Sequence, residues 1–157
     1  MTFKVITVLR ERLQRRQANK LPAYDRGWLA GIIDGEGCLI LKRYGNNFRT
    51  CVTVTNTKFE VIEQAQRLTN LGHFWSPQKI QENCKPVFVW ELEGSQVKQV
   101  LGQIILVIKE EQRKLLLEAQ DLIEQHTADY TPYIERLERI RQKIHQLNRK
   151  GTDVQGQ

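Results

Sequence analysis

The ten residues Trp28-Leu29-Ala30-Gly31-Ile32-Ile33-Asp34-Gly35-Glu36-Gly37 constrain this chain more than any other stretch. Read as a helix, they put Gly27, Ala30, Gly31 and Asp34 at i, i+3, i+4 and i+7, so one face carries little but small side chains. Such a face accepts another helix at very close range. The adjacent stripe of Leu29, Ile32 and Ile33, with Trp28 at its edge, is bulky and apolar and belongs against the chain's own core. Gly35 and Gly37 then flank Glu36, and glycines there permit the backbone turns that stop a helix. A carboxylate at a helix C-terminus meets the negative end of the dipole and is unfavourable by itself. A divalent cation reverses that balance, because carboxylate, free carbonyls and dipole all favour it. The same spacing also suits a plain solvated turn after a core helix.

The rest of the chain alternates between two periods. Leu21-Pro22 breaks the chain before this helix. After Glu36 the pattern becomes that of a strand, with Cys38, Ile40, Lys42 and Tyr44 on one face and Leu39 and Leu41 on the other. Gly45-Asn46-Asn47 supplies a turn, and a returning strand over 48–56 puts Val52 and Val54 inward and Arg49, Cys51 and Thr53 outward. Residues 58–71 read as an amphipathic helix stopped by Gly72. A second hairpin is expected over 73–80 and 87–92; Val87, Phe88, Val89 and Trp90 are apolar on both alternations, which leaves its faces unassigned. From Ser95 the recurrence of Val97, Val100, Leu101, Ile104, Ile105 and Ile108 predicts one continuous helix, followed by another over 111–125. Thr131-Pro132 opens a last helix whose Ile134, Leu137, Ile140, Ile144 and Leu147 form a lid on the core. The plan is α+β, in the order αββαββα with additional C-terminal helices. Residues 1–20 read as a basic N-terminal arm or helix, 21–150 as the folded domain, and 151–157 as a disordered tail.

A chain of 157 residues is enough for one domain that buries roughly 68–70% of its unfolded surface. The net charge of +6 suits a polyanionic partner. Apolar runs of about 18 residues are absent, so no membrane partner is expected. Three cysteines without metal-ligand spacing, Cys38, Cys51 and Cys84, favour a reduced, intracellular protein. His73, His126 and His145 are too scattered to form a metal pair on one helix, and no serine or cysteine nucleophile constellation is present.

Residues 29–37 resemble the signature of the LAGLIDADG homing endonucleases, with Ile32 for Leu, Gly35 for Ala and Glu36 for the second Asp. The motif occurs once. The resemblance therefore implies a homodimer in which the motif helices of two subunits cross through Gly27, Ala30, Gly31 and Asp34. It implies an antiparallel β-saddle that enters the major groove of double-stranded DNA, read by Ile40, Lys42, Tyr44, Asn47, Arg49 and Thr53, with Trp75 and Lys79 from the second hairpin. It implies Mg²⁺, or another divalent cation, held by Glu36 with the Gly35 carbonyl as a second ligand. Asn56 and Lys109 stand where the family places water-organising groups around the scissile phosphate; Glu60 stands where a further basic residue is expected. The activity implied is metal-dependent double-strand hydrolysis of a long pseudo-palindromic site, leaving staggered ends across the minor groove. Such a protein acts in the compartment of its host intron gene. An intron RNA maturase and a cleavage-silent sequence-specific DNA-binding protein are the alternatives on the same scaffold, the first with RNA as partner.

Overall fold

The structure is a computed structural model that describes residues 17–77, 84–125 and 130–150. Helix α1 spans Ala23–Glu36 and runs directly into strand β1, Gly37–Tyr44, which turns back as β2, Asn47–Asn56. Helix α2, Phe59–Thr69, leads to β3, His73–Trp75, and β4, Phe88–Glu93. Three helices follow: α3, Ser95–Leu101; α4, Glu110–Glu124; and α5, Tyr130–Lys150. The αββαββα order expected from the periodicities is the order found.

The four strands form one antiparallel sheet in the order β1-β2-β4-β3. Its alternation is strict where it matters. Leu39, Leu41, Val52, Val54, Trp90 and Leu92 are buried on the face that the helices cover. They meet Leu29 and Ile33 of α1, Ile62 and Ala65 of α2, Val97, Val100 and Leu101 of α3, Leu116 and Ala119 of α4, and Leu137 and Ile144 of α5. Fully burying one such side chain stabilises the fold by about 1.5–3 kcal/mol, so this layer fixes the sheet's register as well as its position. Among the described residues no helix lies across the opposite face, which α5 borders at Cys38 and Ile40. The edge of β1 is covered by α5, whose Asn148 donates to the Leu39 carbonyl at 3.0 Å.

Two expectations about element ends need correcting. Helix α2 stops at Asn70, which takes the left-handed conformation at φ 58°, rather than at Gly72. Gly72, at φ 80°, instead brings the chain against β4: a Cβ there would stand 2.4 Å from Trp90 Nε1, which donates to the Leu71 carbonyl. The second correction is larger. The helix expected to run from Ser95 through Ile108 ends at Leu101, and residues 103–109 are irregular. Polar side chains take the backbone groups a helix would have used. Glu110 accepts from the Leu106 N–H, Asp34 accepts from those of Val107, Ile108 and Lys109, and Arg113 donates to the Leu101 carbonyl. Ile105 and Ile108, expected on a buried stripe, are each 75% exposed, and Val107 is 88% exposed.

The segment 17–20 is tied to the domain, with the Ala18 N–H donating to Gln99 and the Asn19 N–H to the Thr69 carbonyl. The remainder of the expected basic arm, and the expected tail from 151, lie outside the described residues. No helix among the described residues is long and apolar enough to cross a membrane.

Candidate nucleic-acid interface and metal centre

Helix α1 ends because Gly37 follows Glu36. The Gly37 N–H caps the Ile33 carbonyl, and a Cβ at Gly37 would lie 2.5 Å from that oxygen, so only glycine lets the strand leave the helix at this angle. The consequence is an exposed Glu36 at the last helical position, beside carbonyls that the helix leaves without internal partners.

A cation already occupies part of this helix end. The Lys109 ammonium donates to the carbonyls of Asp34 and, at 3.3 Å, Ile33. Lys109 thus neutralises the negative end of the motif helix. It is the residue before α4. Asp34 holds it there from the other side: Oδ2 accepts from Val107 N–H at 2.6 Å and Ile108 N–H at 3.2 Å, and Oδ1 from Lys109 N–H at 3.0 Å. Desolvation pushes the Asp34 carboxyl upward, but the three N–H donors and the Lys109 charge outweigh it and hold the group below its ordinary value. Asp34, grouped with the small face in the sequence, therefore spends its carboxylate inside the subunit.

Gly27 and Gly31 are exposed and Ala30 half-buried, and at both glycines a Cβ would meet nothing within 4 Å. Gly35 is equally open, so the small face continues one turn further than Gly31. Asn56 ends β2 two residues beyond Val54, which pairs with Gly37; it is therefore at the same end of the sheet as Glu36. Its Oδ1 accepts from the Lys58 N–H at 2.8 Å, a turn that also places the exposed Lys58 at this end.

The open face of the sheet follows from the pairing register. Ile40, Cys51 and Glu93 form one cross-strand row, and Cys38, Thr53, Glu91 and His73 the next. Lys42 pairs with Arg49, Tyr44 with Asn47, and Trp75 with Val89, so the described members of the expected DNA-reading set share this face. Lys79 lies outside the described residues. Sequence reasoning missed Glu91 and Glu93, although the polar alternation Val89, Glu91, Glu93 against Trp90 and Leu92 was there to assign them.

The ligand atoms of Cys51, Glu91 and Glu93 lie within 4.8 Å of one another. This group does not suit a divalent ion, because the Lys42 ammonium sits 3.3 Å from Glu91 and 3.0 Å from Glu93. Burial would raise the Glu93 carboxyl, but the Lys42 and Arg49 charges hold it low. Burial and the neighbouring carboxylates push the Cys51 thiol up to about 12, so it is a neutral filler. The hard oxygen donors at Glu36 are the better fit to a divalent cation.

No family model and no curated protein matches the sequence. Solved structures do match in fold. The homing endonuclease I-CvuI in complex with a DNA target aligns with a TM-score of 0.65 at 19% identity, covering 80% of this chain and 85% of that one. Its complexes were determined in the presence of 2 mM Mg, with the DNA not cleaved, and of 2 mM Ca. The archaeal intron-encoded homing endonuclease I-Vdi141I, complexed with DNA, aligns at 0.68 with 13% identity, covering 79% and 84%. The I-SmaMI LAGLIDADG homing endonuclease bound to cleaved DNA aligns at 0.56 with 16% identity over 78% of this chain but 43% of that one. The described residues thus carry the nine-residue signature at a helix end and a four-stranded antiparallel sheet that no described helix crosses on one face, and they align with these structures over about four-fifths of the chain: the chain has the LAGLIDADG homing-endonuclease fold.

Proposed function

We propose that the protein is a homodimeric, Mg²⁺-dependent homing endonuclease that hydrolyses both strands of a long, partly palindromic DNA site. The observation that carries this reading is the convergence on one helix end of the exposed Glu36 carboxylate and the Lys109 ammonium, beside a helix face of open glycines. A protein that only bound DNA would have no use for an exposed acid at the negative end of a helix. Its sign is wrong for phosphate and right for a metal.

The described residues supply one motif helix and one sheet, and the nine-residue signature occurs once in the sequence, which supports a site built from two copies of the chain. Packing Gly27, Ala30 and Gly31 against their copies would bring the two Glu36 residues near a dyad. The Glu36 carboxylate and the Gly35 carbonyl would hold the cation. When bound, such an ion lowers the pKa of a water and stabilises charge on the phosphate. Lys109 stands ready to stabilise the negative charge that develops on the phosphoryl oxygens, and Asp34 keeps it in place. The Asn56 side chain can orient a water from the end of β2. The open sheet face, with Ile40, Lys42, Tyr44, Asn47, Arg49, Thr53 and Trp75, would lie in the major groove. The gene would reside in an intron, and the protein would act in that gene's compartment.

The test is cleavage of a duplex enriched by binding selection, with and without Mg²⁺. Wild-type protein is expected to make double-strand breaks only with the metal, and Glu36→Gln to bind the same duplex without cutting it. Loss of binding by a correctly folded Glu36→Gln dimer would count against the proposed role of Glu36. Affinity for RNA without DNA breaks would favour a maturase.

A further inference from the structure

We propose that Glu91 and Glu93 are specificity-determining residues of the open sheet face: they hold Lys42 and Arg49 as base-reading donors, withhold them from phosphate, and with them make the centre of the face a reader of G·C pairs. This rests on the DNA-binding reading above and extends it to a stated base preference.

The geometry is a bridge across three strands. Lys42 on β1 reaches over Cys51 on β2 to both carboxylates of β4, and Arg49 on β2 lies 3.2 Å from the second oxygen of Glu93. The four charges sum to zero, on a chain whose net charge is +6. The positive excess therefore lies elsewhere, and the part of the face best placed to meet base edges is neutral. A surface built only to attract a polyanion would leave those two cations unpaired.

Pairing has two effects on what Lys42 and Arg49 can contact. A phosphate approaching either cation also approaches a carboxylate, so the local field gives it little attraction. A base edge is uncharged and is not repelled. Guanine offers two adjacent acceptors, O6 and N7, to the N–H groups that Lys42 and Arg49 have left over, and the cytosine N4 amino group can donate to Glu91 or Glu93. A G·C pair thus presents its two acceptors side by side to the cations and its donor to a carboxylate, whereas an A·T pair separates its two acceptors by the adenine N6 donor. The salt bridges also fix two long side chains before DNA arrives, so less rotamer freedom is lost on binding. The Lys42 side chain is 26% exposed and those of Glu91 and Glu93 are 12% and 28%, partly sheltered yet reachable.

The experiment is binding selection from a randomised duplex library, with salt titration of the enriched and unselected duplexes. Wild-type protein is expected to enrich G·C at one or more positions in each half-site. Glu93→Gln should reduce that enrichment roughly tenfold, raise affinity for unselected duplex, and steepen the slope of log K against log salt by about one for each cation freed onto phosphate. Arg49→Gln, at a half-exposed side chain, should lower the enrichment and leave the slope unchanged, because Arg49 neutralises no phosphate. Unchanged enrichment in Glu93→Gln, or a slope shallower by about one in Arg49→Gln, would overturn the proposal while leaving the endonuclease reading intact. A wild-type protein that enriches no sequence overturns both.

Discussion

Asp34 shows how one side chain couples fold and site. It satisfies three backbone N–H groups of the segment that delivers Lys109 to the end of α1. Asp34→Ala is expected to cost about 1–3 kcal/mol of stability, read by urea denaturation. Cleavage should fall further than stability accounts for, since the Lys109 ammonium loses its fixed position; Asp34→Asn should fall between. The pH dependence has a definite sign. Asp34 lies below its ordinary value, and Glu110 is held down to about 2 by the hydrogen bond from Arg113, against some desolvation. Both are depressed in the folded state, so their contributions are complete above the ordinary carboxylate range and are lost as pH falls. Stability should decline from about pH 4.5 to about pH 2, and Glu110→Gln should flatten that limb. None of this was legible from Asp34 itself. Its N–H partners are more than 70 positions away in the chain, and local spacing carries no trace of them.

Among the elements, α1 is the one the sequence describes most completely. Its small face, its apolar stripe and its glycine stop are all local, and local patterns are what periodicity records. Strands β1 and β2 were readable at their centres, where Leu39 and Leu41, and Val52 and Val54, alternate with the open face; the buried Thr50 between Phe48 and Val52, bonded to Gln120, was not. Strand β4 was not: Val89 is buried although it lies on the open face, and it masks the alternation that Glu91 and Glu93 restore. The 103–109 segment misleads for a different reason. Ile104, Ile105 and Ile108 keep helical spacing, yet only Ile104 is buried; the carboxylates of Asp34 and Glu110 claim the backbone first. The end of α1 makes its own prediction. Gly37→Ala should destabilise the protein by about 1–3 kcal/mol, because its Cβ would meet the Ile33 carbonyl, a backbone atom with little room to move. Thermal unfolding measures this directly. Gly31→Glu meets no clash within its own chain, since the space beyond Gly31 is open, so the thermal stability it loses should be only the concentration-dependent part that dimerisation contributes.

At the scale of the whole molecule, the described helices cover one face of the sheet and none of them lies across the other, while α1 presents glycines outward at one end. On the function proposed above, the two surfaces take different partners: a second copy at α1 and a duplex on the sheet. Gly31→Glu should therefore shift the protein toward monomer in sedimentation experiments and abolish cleavage, with the fold intact. The central claim is that two Glu36 carboxylates, one from each subunit, act together at the dyad. The most direct measurement is strand cleavage of a selected duplex by a purified mixed dimer of one wild-type and one Glu36→Gln subunit in Mg²⁺. The account predicts at most a single cut strand and no double-strand break. Double-strand cleavage at the wild-type rate would mean that one carboxylate suffices, and would contradict it.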